Sequence, residues 1–426
     1  MRAEILTIGD EILRGEIVDT NKAFLAERLL LLDVEPRFQC TVADDPADIT
    51  DALRRASERA DVVLVSGGLG PTRDDLTIEV LAGTFGRKLV LHAAALEALR
   101  AFFRSLGREM SPNNEKQAWL PEGAEALPNP IGTAPGCFLE ERGALIFCLP
   151  GVPSELRRMM DEQVAPRIAA RRSGGAVVRA RLLRSFGLGE SALDHALADV
   201  APGWGGSVVL GFRTAFPDNF VRPVVRAADA AAAEATLDRV CREIRERLGP
   251  LVYAEGDETL ERVVGRLLLE RGRTIATAES CSGGLVAERI TSVPGASGYF
   301  LGGVVAYADA AKAALLGVPE AMLRQHGAVS DPVARAMAEG ARARFGADLG
   351  VATTGISGPG GGTPEKPVGL VHVALAHPGG THADCFVFPL DRARHRTLVT
   401  QVALDWVRRW LLGLDLAAPS LLRRER

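Results

Sequence analysis

The chain has 426 residues and a mass of 45.3 kDa, which corresponds to two to four domains of ordinary size. Apolar residues make up 47% and charged residues 24%, a balance that is typical of a chain with a full core and that excludes long disorder. The 50 Lys and Arg nearly balance the 54 Asp and Glu, the net charge is −4, and aromatic residues make up only 5%. We therefore expect neither direct nucleic-acid binding nor a base-stacking platform.

The cysteines and the N-terminus indicate a cytoplasmic protein. The 6 cysteines are scattered without a CxxC pair, a pattern typical of reduced thiols. The N-terminus carries acids early and lacks the apolar segment of a signal peptide. No apolar run approaches the roughly 18 residues of a membrane helix, so we expect no membrane partner.

The first domain, residues 1–170, alternates strands and helices in the order of a parallel α/β sheet. The predicted elements are strand 3–8, helix 20–32 with a cap at Asp19 or Thr20, strand 34–42, helix 46–59, strand 61–66, a helix beginning at Asp74 and Asp75, strand 144–148 and helix 154–170. Glycine-containing loops follow three of these strands, at residues 9–11, 66–72 and 149–153. Ligands bind beyond the carboxyl ends of the strands in such sheets, so these loops predict a ligand site.

Glycines and acids recur together in these loops. Glycine allows the backbone to approach a phosphate, and a following helix N-terminus supplies free N–H groups. Carboxylates such as Asp10, Asp74 and Asp75 beside a phosphate suit a divalent cation. For Asp74 and Asp75 the alternative is that they only complement the helix dipole. Together the three loops favour a phosphate site.

The remaining chain divides into two further predicted domains. Residues 171–256 open with a linker and read as a small α+β spacer or dimerisation domain. Residues 257–415 form a second α/β domain. Its predicted elements are helix 258–271, strand 274–278, helix 285–291, strand 302–307, helix 309–315, helix 331–346, strand 348–354, strands 368–376 and 382–388, and helix 393–411.

The turn between strand 274–278 and helix 285–291 contains two candidate nucleophiles. Ser280 would lie at a helix N-terminus, where free N–H groups can form an oxyanion hole, although a simple N-cap is the commoner role for serine there. No histidine lies near it in sequence, but Lys312 follows a strand predicted to neighbour that of Ser280. A desolvated lysine amine can accept a serine proton near neutral pH; a solvated helix lysine is the alternative. Cys281 competes as a thiol nucleophile, or is a small buried residue.

Four segments of the first domain, GDEILRGEIVDTN, SGGLGPTRDDLT, NPIGTAPG and LPGVPSEL, resemble the molybdopterin-binding-like domain that opens CinA (competence/damage-inducible) proteins. The resemblance implies hydrolysis of the pyrophosphate of ADP-ribose to AMP and ribose 5-phosphate with a divalent metal ion as cofactor. Related domains bind pterins without hydrolysis, so the fold alone does not fix the activity. The implied phosphate ligands are Gly67, Gly68 and Gly70, the implied sugar or diphosphate ligands are Asn21 and Asn129, and the implied metal-binding or water-activating groups are Asp10, Asp44, Asp74, Asp75 and Glu155.

The third domain resembles the C-terminal CinA domain, the nicotinamide-nucleotide amidase family, in AESCSGG, PGASGYFLGGVVAYADAAK, HGAVS and TTGISGPGGGTPEKPVG. The resemblance implies metal-free deamidation of nicotinamide mononucleotide to nicotinic acid mononucleotide and ammonia, in pyridine-nucleotide salvage. It implies Ser280 as the nucleophile, Lys312 as its base, and Tyr307 as a group that assists proton transfer or holds the ring. The implied amide pocket is formed by Ser297, Thr354 and Gly355, and the implied phosphate grip by the loop containing Gly358 and Gly360 with Arg392 and Arg396.

Two other functions remain open at this point. The protein could be a nucleotide-binding sensor or scaffold linked to competence, with one or both sites silent, or only the amidase could be active. Enzyme and sensor both have nicotinamide mononucleotide and ADP-ribose as expected partners, and we expect a homodimer.

Overall fold

The structure is a computed structural model that describes residues 1–172 and 174–416. The chain forms two compact units, and each is described separately. The first comprises Met1–Arg179 and Arg226–Glu234, and the second comprises Ala180–Val225 and the chain from Ala235 onward.

The first unit contains a sheet that is predominantly parallel. Its elements in chain order are β1 (Arg2–Ile8), α1 (Asp10–Leu13), α2 (Thr20–Leu31), β2 (Glu35–Val42), α3 (Pro46–Arg59), β3 (Val62–Ser66), α4 (Thr77–Thr84), β4 (Leu89–Leu91), α5 (Ala93–Ser105), β5 (Trp119–Pro121), β6 (Glu125–Leu127), β7 (Gly136–Glu141), β8 (Ala144–Leu149), α6 (Pro153–Met159), a π-helical stretch (Met160–Val164) and α7 (Ala165–Arg171). Six strands follow the order β2-β1-β3-β8-β7-β6. The pairs β1–β2, β1–β3 and β3–β8 are parallel, which confirms the predicted α/β class.

Successive residues of the central strands face opposite layers. Leu6 and Val63 pack into one apolar cluster, and their neighbours Ile5 and Leu64 pack into the other. Because both faces are covered by helices, the strands are apolar throughout, as parallel strands usually are. The polar groups of this domain therefore collect in the loops beyond the strand ends.

The second unit contains two sheets. Its elements, with β9 (Val177–Ala180) leading into them, are β10 (Leu183–Ser185), α8 (Glu190–Leu197), β11 (Val208–Ala215), β12 (Asp218–Ala227), α9 (Ala230–Leu248), β13 (Val252–Glu255), α10 (Leu260–Glu270), β14 (Ile275–Glu279), α11 (Leu285–Thr291), β15 (Phe300–Val305), α12 (Asp309–Leu316), α13 (Glu320–His326), α14 (Asp331–Phe345), β16 (Leu349–Gly355), β17 (Leu370–His377), β18 (Gly380–Val387) and α15 (Arg392–Leu411). The antiparallel strands β11, β12, β10 and β13 are neighbours in that order. The other sheet has the order β15-β14-β16-β17-β18, with β14 parallel to both its neighbours.

The predicted central spacer shares its core with the third domain. It has an apolar cluster of its own around Leu183 and Val240, but Phe186, Tyr253 and Ala254 belong to the cluster between β14 and α15. The structure therefore packs the central and C-terminal segments as one unit. Among the described residues, no helix has both the length and the apolar character needed to cross a membrane.

A buried polar contact joins these segments. Gln401 Nε2 donates to Asp218 Oδ1 at 2.6 Å, and Arg184 Nη1 lies 3.8 Å from Asp218 Oδ2. Burial raises the pKa of Asp218, and the nearby charges of Arg289 and Arg184 only partly oppose this effect. The charged carboxylate is therefore less favourable here than in water.

We expect Asp218→Asn to unfold at the same or a higher urea concentration at pH 7. The unfolded chain loses the Asp218 proton near the ordinary pKa of 3.8, whereas the folded chain retains it to higher pH, so stability falls as pH rises through that interval. The advantage of the amide should accordingly shrink as the pH is lowered towards 4. A variant that is less stable at pH 7 would show that the two arginine contacts outweigh the cost of burial.

Candidate functional site

The three glycine loops of the first domain meet at the carboxyl edge of β1, β3 and β8. Gly67 N donates to Leu149 O at 3.1 Å, and the side chain of Asn21 donates to Gly151 O at 2.8 Å and to Ser66 Oγ at 3.0 Å. Gly67 has φ +106°, and a Cβ there would lie 2.3 Å from the carbonyl oxygen of Ile8. Only glycine allows the β3 loop to approach β1 this closely.

A cavity of about 430 Å³ lies among these loops. Two buried acceptor atoms in its wall, Asn21 Oδ1 and Gln117 Oε1, have no hydrogen-bond partner among the described residues. Buried polar atoms normally have partners, so these two mark positions where a polar ligand would donate. Most of the predicted residues of this domain line the cavity, namely Asn21, Asp44, Gly67, Gly68, Gly70, Asp74, Asp75 and Glu155.

Carboxylates crowd one side of the cavity. Burial raises the pKa of Asp44, and the like charges of Glu11, Asp10 and Asp74 raise it further. A hydrogen bond from Thr72 and the charge of Lys116 lower the pKa of Asp74. This crowding of negative charge is what a cation or a polarised water would relieve.

The predicted acids Asp10 and Asp75 have different contacts in the structure. Asp10 accepts from the backbone of Asp44 and pairs with Arg14, outside the cavity lining. Asp75 does not begin a helix, because α4 starts only at Thr77; it accepts instead from the backbone N–H of Thr72 at 2.9 Å. The side chain lies against Gly70, where a Cβ would come within 2.4 Å of its carboxylate.

Asn129 holds a residue of the cavity wall without lining the cavity itself. Its amide donates to Glu155 Oε2 at 2.7 Å and to Ala134 O at 2.8 Å, so both of its donors are used within the domain. Glu155 lines the cavity, whereas Asn129 does not. Within the described ranges, no three His, Cys, Asp or Glu side chains form a metal-binding cluster.

In the second unit, Glu279 organises the turn that carries Ser280. Its carboxylate accepts from Ser282 Oγ (2.7 Å), Gly284 N (2.9 Å), Val286 N (3.0 Å) and Ala287 N (2.8 Å). The residue is 1% exposed. Glu279 thus caps α11, so Ser280 is not the N-cap, and the helix amides predicted for an oxyanion hole are occupied.

Ser280 faces the layer formed by α12 and α14. Ala276 and Ala278 of β14 lie in the cluster with Leu316, and Ser280 continues their alternation, with its N–H bonded to Thr353 O at 2.9 Å. Because Glu279 pairs with Thr353, the next residues in register are Ser280 and Thr354, side by side on that face. Thr354 is 1% exposed and donates to Ala328 O at 2.8 Å.

Lys312 lies on α12, on the same side of the sheet. It is 1% exposed, so it is not a solvated helix lysine. Its Nζ lies 3.3 Å from Tyr307 O and 3.6 Å from the Asp309 carboxylate. Ala306 N donates to Glu279 O at 2.8 Å, which holds the end of β15 beside the residue preceding Ser280.

Arginine side chains join the remaining predicted groups. Arg392 donates to Tyr307 Oη at 2.8 Å and to Gly358 O at 3.0 Å, which brings the exposed Tyr307 ring and the glycine loop together. Arg396 donates twice to Ser282 O, at 2.8 and 3.0 Å, so it supports the turn that contains Ser280.

Ser297 and Gly355, which were predicted to shape the amide pocket, have other positions in the structure. Ser297 precedes β15, whereas Ser280 follows the parallel strand β14, so the two lie at opposite edges of the sheet. Six residues of strand separate these edges by about 20 Å, so the prediction that Ser297 shapes the amide pocket of its own chain needs correction. Gly355 serves the strand pairing, since a Cβ there would lie 2.6 Å from Leu370 O, and Gly360 lies at an exposed part of its loop.

Cys281 is buried, and burial raises the pKa of its thiol to about 12. A thiol with this pKa contains almost no thiolate at neutral pH. The structure therefore favours the alternative that Cys281 is a small buried residue.

Sequence reasoning missed several residues of these sites: Glu11, Gln117, Thr133, Glu279 and Ser357. Ser357 is 5% exposed, and its hydroxyl has no partner among the described residues. The position of Glu279, directly before the serine in a strand-turn-helix, was the one available signal, because a buried acid at a strand end needs nearby N–H groups.

Comparisons with known proteins assign each segment to a family. Residues 4–170 match the probable molybdopterin binding domain, residues 180–254 the damage-inducible protein CinA KH domain, and residues 257–411 the CinA C-terminal domain.

Relatives extend over the whole chain. A CinA-like protein of Anaeromyxobacter sp. (strain Fw109-5) is 49% identical over 411 residues, 96% of this chain and 98% of that protein. A CinA-like protein of Geotalea uraniireducens (strain Rf4) is 44% identical over 414 residues, 97% of this chain and 98% of that protein. The crystal structure of CinA from Thermoplasma acidophilum is 36% identical with a TM-score of 0.37, covering 39% of this chain and 97% of that one. On the strength of the full-length relatives, this chain belongs to the CinA family of competence/damage-inducible proteins.

Proposed function

We propose that the second unit deamidates nicotinamide mononucleotide to nicotinic acid mononucleotide and ammonia, within cytoplasmic pyridine-nucleotide salvage. The observation that carries this proposal is the placement of Ser280 and the buried Lys312 on one face, at the same edge of neighbouring strands. A serine and a desolvated lysine are one of the known combinations for acyl transfer.

The reaction needs no redox partner. Ser280 Oγ attacks the carboxamide carbon while its proton passes to the amine of Lys312, and backbone N–H groups of the turn would hold the oxyanion. When the tetrahedral species collapses, Lys312 returns the proton to the departing ammonia. Water then attacks the acyl-serine ester, with Lys312 again taking and returning a proton, which releases the carboxylate product.

The phosphate of the substrate is assigned to Arg392 and the loop at Gly358. Arg392 bridges this loop and Tyr307, so a phosphate bound there would fix the nicotinamide ring relative to Ser280. We expect Arg392→Gln to raise the KM for nicotinamide mononucleotide by about 10- to 100-fold, the value of a hydrogen bond to a charged group. The KM for nicotinamide riboside, which lacks the phosphate, should change less than threefold; an equal change for both substrates would assign Arg392 to loop structure alone.

The direct test of the amidase is product identification. The full chain is incubated with nicotinamide mononucleotide in the presence of EDTA, and ammonia and nicotinic acid mononucleotide are quantified. Formation of both in equal amounts supports the proposal. Tight binding without turnover would favour the alternative of a nucleotide sensor.

The first unit favours a second activity, hydrolysis of ADP-ribose by water to AMP and ribose 5-phosphate. The support is the glycine-lined cavity, with its carboxylate cluster around Asp44 and its two unpartnered acceptors. Asp44, with Glu11 or Asp74 as a second carboxylate, would hold a divalent cation, since Mg²⁺ often takes one or two carboxylates and completes its shell with substrate phosphates. When bound, such a cation would neutralise developing phosphate charge and acidify a water.

The residues of the chain supply the remaining steps. The free acceptors of Asn21 and Gln117 would orient ribose hydroxyls, and Glu155, held by Asn129, would position the attacking water. Incubation of the chain with ADP-ribose and Mg²⁺ or Mn²⁺ should yield AMP and ribose 5-phosphate in equal amounts, with no product in EDTA. Binding of ADP-ribose without products under all these conditions would leave the first unit as a sensor.

A further inference from the structure

A second cavity, of about 450 Å³, lies in the first unit between α5 and residues 126–135. Leu99, Phe102 and Pro128 are among the apolar side chains that dominate its wall. Small-molecule sites are typically cavities of about 300–1,000 Å³ with mostly apolar walls and a few polar groups. The chemistry proposed above does not use this cavity.

The two cavities share a wall. Thr133 lines both of them. Gly132 lines the second cavity, and a Cβ at this glycine would lie 2.2 to 2.5 Å from the carboxyl group of Glu155, which lines the first. Asn129 of the second cavity donates to the same carboxylate at 2.7 Å. The two cavities are therefore adjacent, with Thr133 lying between them.

The wall of the first cavity is polar and that of the second is mostly apolar, which matches the sugar-phosphate part and the base of a nucleotide. The first cavity offers glycines, carboxylates and free amide acceptors, which suit phosphates and a sugar. The second offers apolar surface with the flat ring of Phe102, and the polar residues of its wall are His92, Asn129 and Thr133. His92 Nδ1 accepts from Ala95 N at 3.2 Å, so the neutral ring carries its proton on Nε2 and can donate to a ring nitrogen.

We propose that the second cavity binds the nucleobase of a nucleotide whose diphosphate and sugar occupy the first cavity. The inference rests on the proposed second activity for the position of the diphosphate, and it adds selection for a base. The alanine-rich face of α5 is what leaves room for the ring, because Ala94, Ala98 and Ala101 all line the cavity. The full chain should accordingly bind AMP at least tenfold more tightly than ribose 5-phosphate.

Filling the cavity tests the proposal. Ala98→Leu places a larger side chain in the wall, and leucine has nearly the helix propensity of alanine, so α5 should remain intact. We expect this variant of the full chain to bind AMP and ADP-ribose at least tenfold more weakly by isothermal titration, with binding of ribose 5-phosphate within twofold. The matched control is Ala93→Leu, the same change at an exposed position of α5 outside the cavity, which should alter none of these affinities.

The outcomes separate the base site from the hydrolysis. Unchanged affinity of Ala98→Leu for AMP and ADP-ribose would overturn the base site, as would an equal loss for ribose 5-phosphate. Hydrolysis of ADP-ribose that proceeds equally in Ala98→Leu would reject the base site and keep the activity. Base-dependent binding that Ala98→Leu removes, in a chain that releases no AMP, would reject the activity and keep the base site.

Discussion

Ser280→Ala should reduce the kcat for nicotinamide mononucleotide by roughly 10⁴-fold or more, because removal of a catalytic nucleophile leaves only the contribution of binding and of the oxyanion donors. The fold should tolerate the change, since Glu279 and not Ser280 caps α11. Initial rates of ammonia release in the two proteins, with product binding as a check on the pocket, provide the measurement.

The neighbouring thiol is the matched control. Cys281 lies in the same turn as Ser280, but burial raises the pKa of its thiol to about 12. Cys281→Ala should therefore retain activity within a few fold. Full activity of Ser280→Ala would exclude the serine as the nucleophile. Loss of activity in Cys281→Ala alone would identify the thiol as the nucleophile.

Much of the fold could be predicted from hydrophobic periodicity. Helix α11 occupies the predicted residues 285–291, and strand β1 extends the predicted 3–8 by one residue. Both elements contribute to apolar layers, so their sequence pattern is strong. Helix α5 and the antiparallel strands β6 and β7 were missed. Helix α5 is amphipathic, with Leu96 and Leu99 buried, so periodicity could have predicted it, whereas the three-residue strand β6 is too short to show alternation.

The sequence likewise predicted only part of the candidate sites. The motifs put Ser280 after β14, Tyr307 after β15, Lys312 on the following helix and Arg392 at a helix start; the structure has the four residues in these positions, and their roles stay predictions. They misplaced Ser297, since a motif gives proximity in sequence and not the edge of the sheet at which a residue lies. The support given by Glu279 and the second cavity depend on tertiary packing, which local pattern does not report.

The buried amine is the second test with a large expected effect. Lys312→Arg retains a positive charge and several donors, but a guanidinium stays protonated and cannot accept the Ser280 proton. We expect the kcat for nicotinamide mononucleotide to fall by about 10²- to 10⁴-fold, the usual contribution of general acid–base catalysis, with affinity for nicotinic acid mononucleotide within threefold. The affinity measurement distinguishes a lost base from a collapsed pocket.

Lys366 supplies the matched control, because its ammonium only bridges two loop carbonyls. It donates to His326 O and to Val329 O, each at 2.8 Å, and an arginine can make both hydrogen bonds. Lys366→Arg should therefore keep its kcat within about threefold. If Lys312→Arg were equally active, proton transfer would have to come from another group, and the exposed hydroxyl of Tyr307, 2.8 Å from Arg392, would be the next to test, by Tyr307→Phe.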